Sequence, residues 1–298
     1  MKFKEYGTYS LEPLNNHIEI EILDKVKKDL FLRLDFILGF IRKTKPEIYD
    51  SLVKSIEENY TNLMKEDYVR NRKFNLTKLI SDFKFLKNHK QLAEKSLNYI
   101  IGLLGLSSDI NWVKEKLTVT EKDNLKIYSY PDYQNLVSLS NVVGKDEAIK
   151  LYKRLVSEYI AEAHKETKNN FETLEELRED HINYYKEKDK PGWVRIEGTV
   201  ENGKLVYRRD SCLWAEGIKN LPDDDFRYLI ACYGDFQGTK IIWNKHFILT
   251  MKHTIAKGDP YCSCIVHDTR IDWDLTHPDE DYWESIWSLQ KWQKKRGE

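Results

Sequence analysis

The chain has 298 residues, 33% of them charged, and a formal net charge of −1. Balanced charge gives no long-range attraction for nucleic acid or an acidic membrane surface, and the short basic runs "KKDLFLRL" and "QKKRG" read as solvated faces, so no nucleic-acid partner is expected. A hydrophobic fraction of 41% suffices for a proper core in one large or two ordinary domains.

The opening "MKFKEYGTYSLEPL" lacks an apolar stretch of the secretory type. The most apolar early run, Leu30 to Ile41, carries Arg33 and Asp35 and is too short to span a bilayer. The expectation is a cytoplasmic protein without a membrane partner, whose thiols stay reduced. Apolar residues spaced by three and four predict helices over "SLEPLNNHIEIEILDKVKKDLFLRLDFILGFI", "PEIYDSLVKSIEENYTNLMKE", "NLTKLISDFKFLKN" and "QLAEKSLNYIIGLLGL". Pro46 stands near a first turn, where proline is tolerated. Pro131, in "TVTEKDNLKIYSYPDY", reads as a breaker, and the chain divides there into a helical accessory region, 1–125, and a second domain, 126–298.

Two further helices follow, in "NVVGKDEAIKLYKRLVSEYIAEAHKE" and "FETLEELREDHINYYKEKD", the latter ended by Pro191-Gly192. "WVRIEGTVENGKLVYRRDSCLWAE" is rich in β-branched and aromatic residues, and its Asn202-Gly203 predicts a type I′ hairpin. "LPDDDFRYLIACYGDFQGTKIIW" reads as one helix whose three aspartates suit its N-terminal dipole. "HFILTMKHTIAKGDPYCSCIVHD" reads as strand, turn, strand, and "DEDYWESIWSLQKWQKK" as an amphipathic helix with Trp283, Trp287 and Trp292 near one side, a surface on which a homo-oligomer could form. The fold class is α+β: a helical N-terminal region followed by an antiparallel sheet covered by helices.

The four cysteines are too few for a disulfide framework and read as free thiols, ligands or nucleophiles. Strand alternation puts Cys262, Cys264 and Val266 on one side of their strand, and Tyr261, Ser263, Ile265 and His267 on the other. On the preceding strand Met251 and His253 share one face, Thr250 and Lys252 the opposite one. Asp210 and Cys212 share a face of the hairpin, and Cys232 and Asp235 are helical neighbours at i, i+3. Three segments can therefore bring Cys212, Cys232 and Cys262 together. Each thiol also has a plain packing role open to it, since free cysteine is among the most buried residue types.

"RRDSCLWAE", "LIACYGDF" and "LTMKHTIAKGDPYCSCIV", in that order, resemble the L-2-amino-thiazoline-4-carboxylic acid hydrolase family. The resemblance runs from about Ser129 to Asp268 and rests on Cys212 after a strand, Cys232 with Asp235 on a helix, and Gly258, Asp259 and Cys262 in a closing hairpin; Cys264 is additional to the pattern. It implies a hydrolase that opens a small cyclic amidine, such as a thiazoline, to an N-carbamoyl thiol. In a cysteine-dependent mechanism Cys262 is the first choice of nucleophile and Cys232 the second, because a thiolate is strongly nucleophilic once a cation or helix N-terminus lowers its pKa. Asp235 would orient groups or act as a base, with Asp210 in support, and Lys252 or His253 would stabilise the thiolate or move protons. Two other readings stand beside this one. Cys212, Cys232 and Cys262 could ligate zinc or an iron–sulfur cluster, although no Cys-x-x-Cys pair is present. The domain could also be a non-enzymatic small-molecule sensor of the 4-vinyl reductase type.

Overall fold

The structure is a computed structural model that describes residues 2–64, 74–106, 113, 116–166, 170–187 and 191–286. In chain order the elements are β1 (Phe3–Tyr6), β2 (His17–Ile20), α1 (Ile22–Lys25), α2 (Leu32–Thr44), α3 (Tyr49–Leu63), α4 (Leu76–Ile80), α5 (Lys90–Leu103), β3 (Leu117–Thr120), α6 (Glu121–Val143), α7 (Lys145–Ala163) and α8 (Leu174–Glu187). Then come β4 (Val194–Glu201), β5 (Lys204–Ser211), α9 (Leu213–Ile218), α10 (Asp224–Ala231), α11 (Tyr233–Gly238), β6 (Phe247–Met251), β7 (Cys262–Asp268) and α12 (Glu280–Ser285). The class is α+β, as expected. No helix among the described residues is long and apolar enough to cross a membrane.

Two compact units arise: residues 15–155, and residues 1–14 together with 156–298. The boundary expected at 125/126 falls inside α6, which runs through Pro131 without ending. Proline leaves the Ile127 carbonyl without its helical N–H, but both flanks are held by burial of Leu125, Ile127, Tyr133, Leu136 and Leu139. Arg33 braces the same turn: it donates to the Tyr128 carbonyl (3.0 Å) and to Asp132 (2.7 Å), and its guanidinium lies 3.4 Å from the centroid of the Tyr128 ring.

The helical reading of the first residues is corrected at two places. Residues 17–20 form β2, which pairs antiparallel with β3 from His17↔Thr120 to Ile20↔Leu117. There "HIEI" alternates polar and apolar residues, and the period of two prevails over the helical pattern around it. Residues 3–6 form β1, which pairs with β4.

The unit that contains residues 156–298 is built on a five-stranded antiparallel sheet of order β1-β4-β5-β7-β6. Its central hairpin turns as expected, with positive φ at both Asn202 (50°) and Gly203 (73°). One face packs Leu205, Tyr207, Leu249, Cys262, Cys264 and Val266 against Leu174 and Leu177 of α8. The other packs Ile196, Val206, Tyr261 and Ile265 against Trp283 of α12. The alternation read from "PYCSCIV" is therefore correct. Trp287 and Trp292 lie outside the described residues.

The single helix expected over 221–243 is broken. Asp223 caps α10 by accepting from the Phe226 amide (3.0 Å), but Cys232 leaves helical geometry at φ −122°, ψ −31°, and α11 starts afresh. Gly234 and Gly238 lower the helical preference of that stretch.

Gly203 tests the hairpin. An added Cβ would lie 2.9 Å from Ile271 at a positive φ. Gly203→Ala is expected to lower unfolding stability by about 1–3 kcal/mol, read as a reduced denaturant midpoint with an unchanged slope.

Candidate functional site

The hairpin register sets adjacent arginines of β5 on opposite faces. Arg209 pairs with Cys262, and Tyr207 with Cys264, on the α8 face. Arg208 lies on the α12 face, where it grips Asp210 through two hydrogen bonds (2.5 and 3.1 Å), donates to the carbonyls of Trp283 and Ile286, and lies 4.2 Å from the Tyr261 ring centroid. Asp210 also accepts from the Tyr9 hydroxyl (3.0 Å). Its carboxylate is thus engaged in a buried ion pair, a constraint that its sequence position did not reveal.

β5 ends at Ser211, and Cys212, still extended at φ −151°, ψ 115°, occupies the N-cap of α9. Of the four cysteines it alone is not buried. It lines a cleft of about 580 Å³ together with Tyr9, Asp210, Glu216, Lys219 and Asp259. Desolvation of the sulfur raises its pKa above the usual thiol value, while the Ala215 and Trp214 amides and the Arg209 charge oppose the rise. No complete capping hydrogen bond forms from its side chain, so the amides act on it as oriented dipoles.

Cys232, at the break between α10 and α11, packs with Ala215 and Ala256, and Cys212 lies against this cluster. Burial, then the neighbouring Cys262 and Cys212, holds its thiol well above the usual value. Cys262 opens β7; burial and the nearby Cys264 and Cys212 raise its thiol well above normal, although the Ile255 amide donates to its Sγ at 3.3 Å. Cys264 is fully buried, and burial pushes its thiol up to about 11. The fold therefore brings together the three segments that carry Cys212, Cys232 and Cys262. It does not gather them as a ready ligand set: among the described residues, the cluster whose ligand atoms all lie within 4.8 Å of one another is Asp223, Asp224 and Asp225, and Asp223 there is the cap of α10 while Asp225 pairs with Lys257.

Gly258 and Asp259 act on the site through the backbone. Gly258 takes φ +99°, which favours glycine, and the Asp259 carboxylate accepts from the Thr254 amide at 2.6 Å. That clamp presents the next amide, of Ile255, to Cys262. Lys252 and His253 do not reach the thiols. β6 ends at Met251, so its alternation stops there. His253 turns to the opposite side, where it shares a hydrogen bond with Ser263 (3.1 Å) and meets the Tyr261 ring at 5.3 Å. Lys252 is exposed.

The cation at the thiols is Arg209. It favours the thiolate at each of the four cysteines. Asp235 accepts from its Nη1 at 3.3 Å, and the Tyr207 ring centroid lies 5.5 Å away. Burial works against its charge, but Tyr207 and Asp235 outweigh that cost and keep it protonated. Behind it, Arg195 donates to Glu197 (2.6 Å) and His181 (2.7 Å) and stacks 3.5 Å from the Tyr207 centroid. Burial and the two arginines hold His181 well below its usual pKa, so it is a neutral acceptor. This buried set carries no sequence motif. Its one legible signal is strand parity, which places Arg195, Tyr207 and Arg209 on the cysteine face.

Residues 130–266 match the model of the L-2-amino-thiazoline-4-carboxylic acid hydrolase family. The matched residues are thus similar to the family that the three motifs resemble. The match takes in Cys212, Cys232, Asp235, Gly258, Asp259 and Cys262, and leaves out β1, Tyr9 and α12. No curated protein and no solved structure matches the chain.

Two expectations follow. Replacing Asp210 by Ala leaves Arg208 buried and unpaired and should cost about 3–5 kcal/mol, measured by denaturant unfolding. The four raised thiol pKa values mean that the folded state holds protons which the unfolded state, with thiols near pH 8.5, releases. Their contribution is whole below about pH 8.5 and is lost as pH rises through the folded values, so thermal unfolding temperature should fall in that alkaline range.

Proposed function

We propose that this protein is a thiol-dependent hydrolase of small cyclic amidines of the thiazoline type, with Cys212 as nucleophile. One observation carries the choice over Cys262 and Cys232: Cys212 alone is partly exposed, and it lines the cleft. The family relation over residues 130–266 supports the reaction class.

Desolvation keeps the Cys212 thiol protonated, and Arg209 and the α9 amides oppose it only in part, so the thiol gives up its proton as the bond forms. The Cys212 sulfur adds to the carbon between ring nitrogen and ring sulfur. The C=N electrons move to nitrogen, which takes a proton. The tetrahedral centre collapses, the carbon–sulfur ring bond breaks, and the ring sulfur leaves as a protonated thiol. An isothiourea remains on Cys212. Water adds to its carbon, Cys212 departs as thiolate, and an N-carbamoyl thiol is released, with one water consumed overall. Glu216 lies one helical turn beyond Cys212 on the same cleft and is the carboxyl group assigned to proton movement. Asp235 holds Arg209 in place.

The test is turnover of 2-amino-thiazoline-4-carboxylate, followed by appearance of free thiol. Cys212→Ala should lose at least about 10³-fold in kcat/KM, whereas Cys264→Ala, remote from the cleft, should keep its activity. Full turnover by Cys212→Ala would overturn the assignment. Arg209→Gln should slow alkylation of Cys212 by iodoacetamide at neutral pH and shift its pH–rate curve to higher pH.

A further inference from the structure

The proposed mechanism uses Cys212 and leaves Cys232 beside it without a task. We infer that Cys212 and Cys232 form a peroxide-sensing pair in which Cys232 resolves the oxidised Cys212 as a reversible disulfide. The inference needs only the two thiols and does not rest on the hydrolase reading.

Three placements carry it. Cys212 is the thiol a hydroperoxide can reach, because it is partly exposed on the cleft. Cys232 packs in the Ala215–Ala256 cluster against which Cys212 lies. Disulfide formation demands close sulfurs, and Cys232 offers its thiol from the junction of two short helices, where its backbone is non-helical. The other two thiols belong to the sheet. Cys262 is locked in the sheet opposite Arg209 and its sulfur accepts from the Ile255 amide. Cys264 is paired on both sides, to Tyr207 and Met251, and fully buried.

The chemistry balances with a hydroperoxide as oxidant. The Cys212 thiolate attacks the terminal peroxide oxygen, the O–O bond breaks, and the alcohol or water leaves after protonation. Cys212 is oxidised to the sulfenic acid and the peroxide is reduced. The Cys232 sulfur then attacks the Cys212 sulfur and displaces hydroxide, which takes the Cys232 proton and departs as water.

The experiment treats the reduced full chain with a small excess of hydrogen peroxide, then counts free thiols and maps peptides by mass. Free thiols should fall from four to two, the intact mass should drop by two hydrogens, and the Cys212 and Cys232 peptides should be linked until dithiothreitol separates them. In Cys232→Ala, Cys212 should instead gain oxygen as sulfenic and sulfinic acid. Wild-type protein whose Cys212 is oxygenated while Cys232 remains free would overturn the inference, as would a link from Cys212 to Cys262. These readouts do not involve turnover, so an inactive hydrolase assay leaves them intact.

Discussion

Alternation along β5 is the constraint on which the rest of the site depends. The two-residue turn at Asn202-Gly203 locks β5 against β4, and antiparallel pairing then locks β7 against β5. Arg208 and Arg209 are neighbours in sequence and occupy opposite sides of the sheet. One guanidinium is spent on Asp210 and the α12 carbonyls. The other stands among four thiols. A slip of one residue would exchange them and leave a carboxylate facing the cysteines.

The thiols sit in a conflict of two forces. Burial favours the neutral sulfhydryl at all four positions, and Arg209 favours the thiolate at all four. What distinguishes Cys212 is location. It leaves the strand to start a helix and so lines a cleft that the strand cysteines Cys262 and Cys264 do not. At this strand-to-helix junction Cys212 is half-buried, and so is Arg209, the charge that favours its thiolate.

Much of this was legible in the sequence. Asn202-Gly203 specified its hairpin, "PYCSCIV" its two faces, and the three motif segments their meeting, because local turn chemistry and period-two alternation report directly on strands. The choice of Cys262 as first nucleophile ranked a turn-proximal residue as exposed, whereas its register buries it. His253 was placed with Met251 because nothing in the sequence marks where β6 stops. Pro131 read as a breaker because the packing that holds α6 on both sides is tertiary, and so is the ion pair that occupies Asp210. The role of Arg209 depends on pairing between β5 and β7, which no local pattern reports.

β1 has a consequence for the order in which the chain can assemble. Its four residues complete the sheet by pairing with β4, which begins at Val194. A ribosome delivers Phe3–Tyr6 first and their partners nearly two hundred residues later. The strand must wait, unpaired, while the whole of 15–155 is synthesised between the two halves of one sheet. The sheet therefore closes late, by a contact of very long sequence separation, and such closures are slow. Tyr9, which reaches Asp210 at the cleft, arrives with the same segment. The cleft is finished by residues made first and docked last.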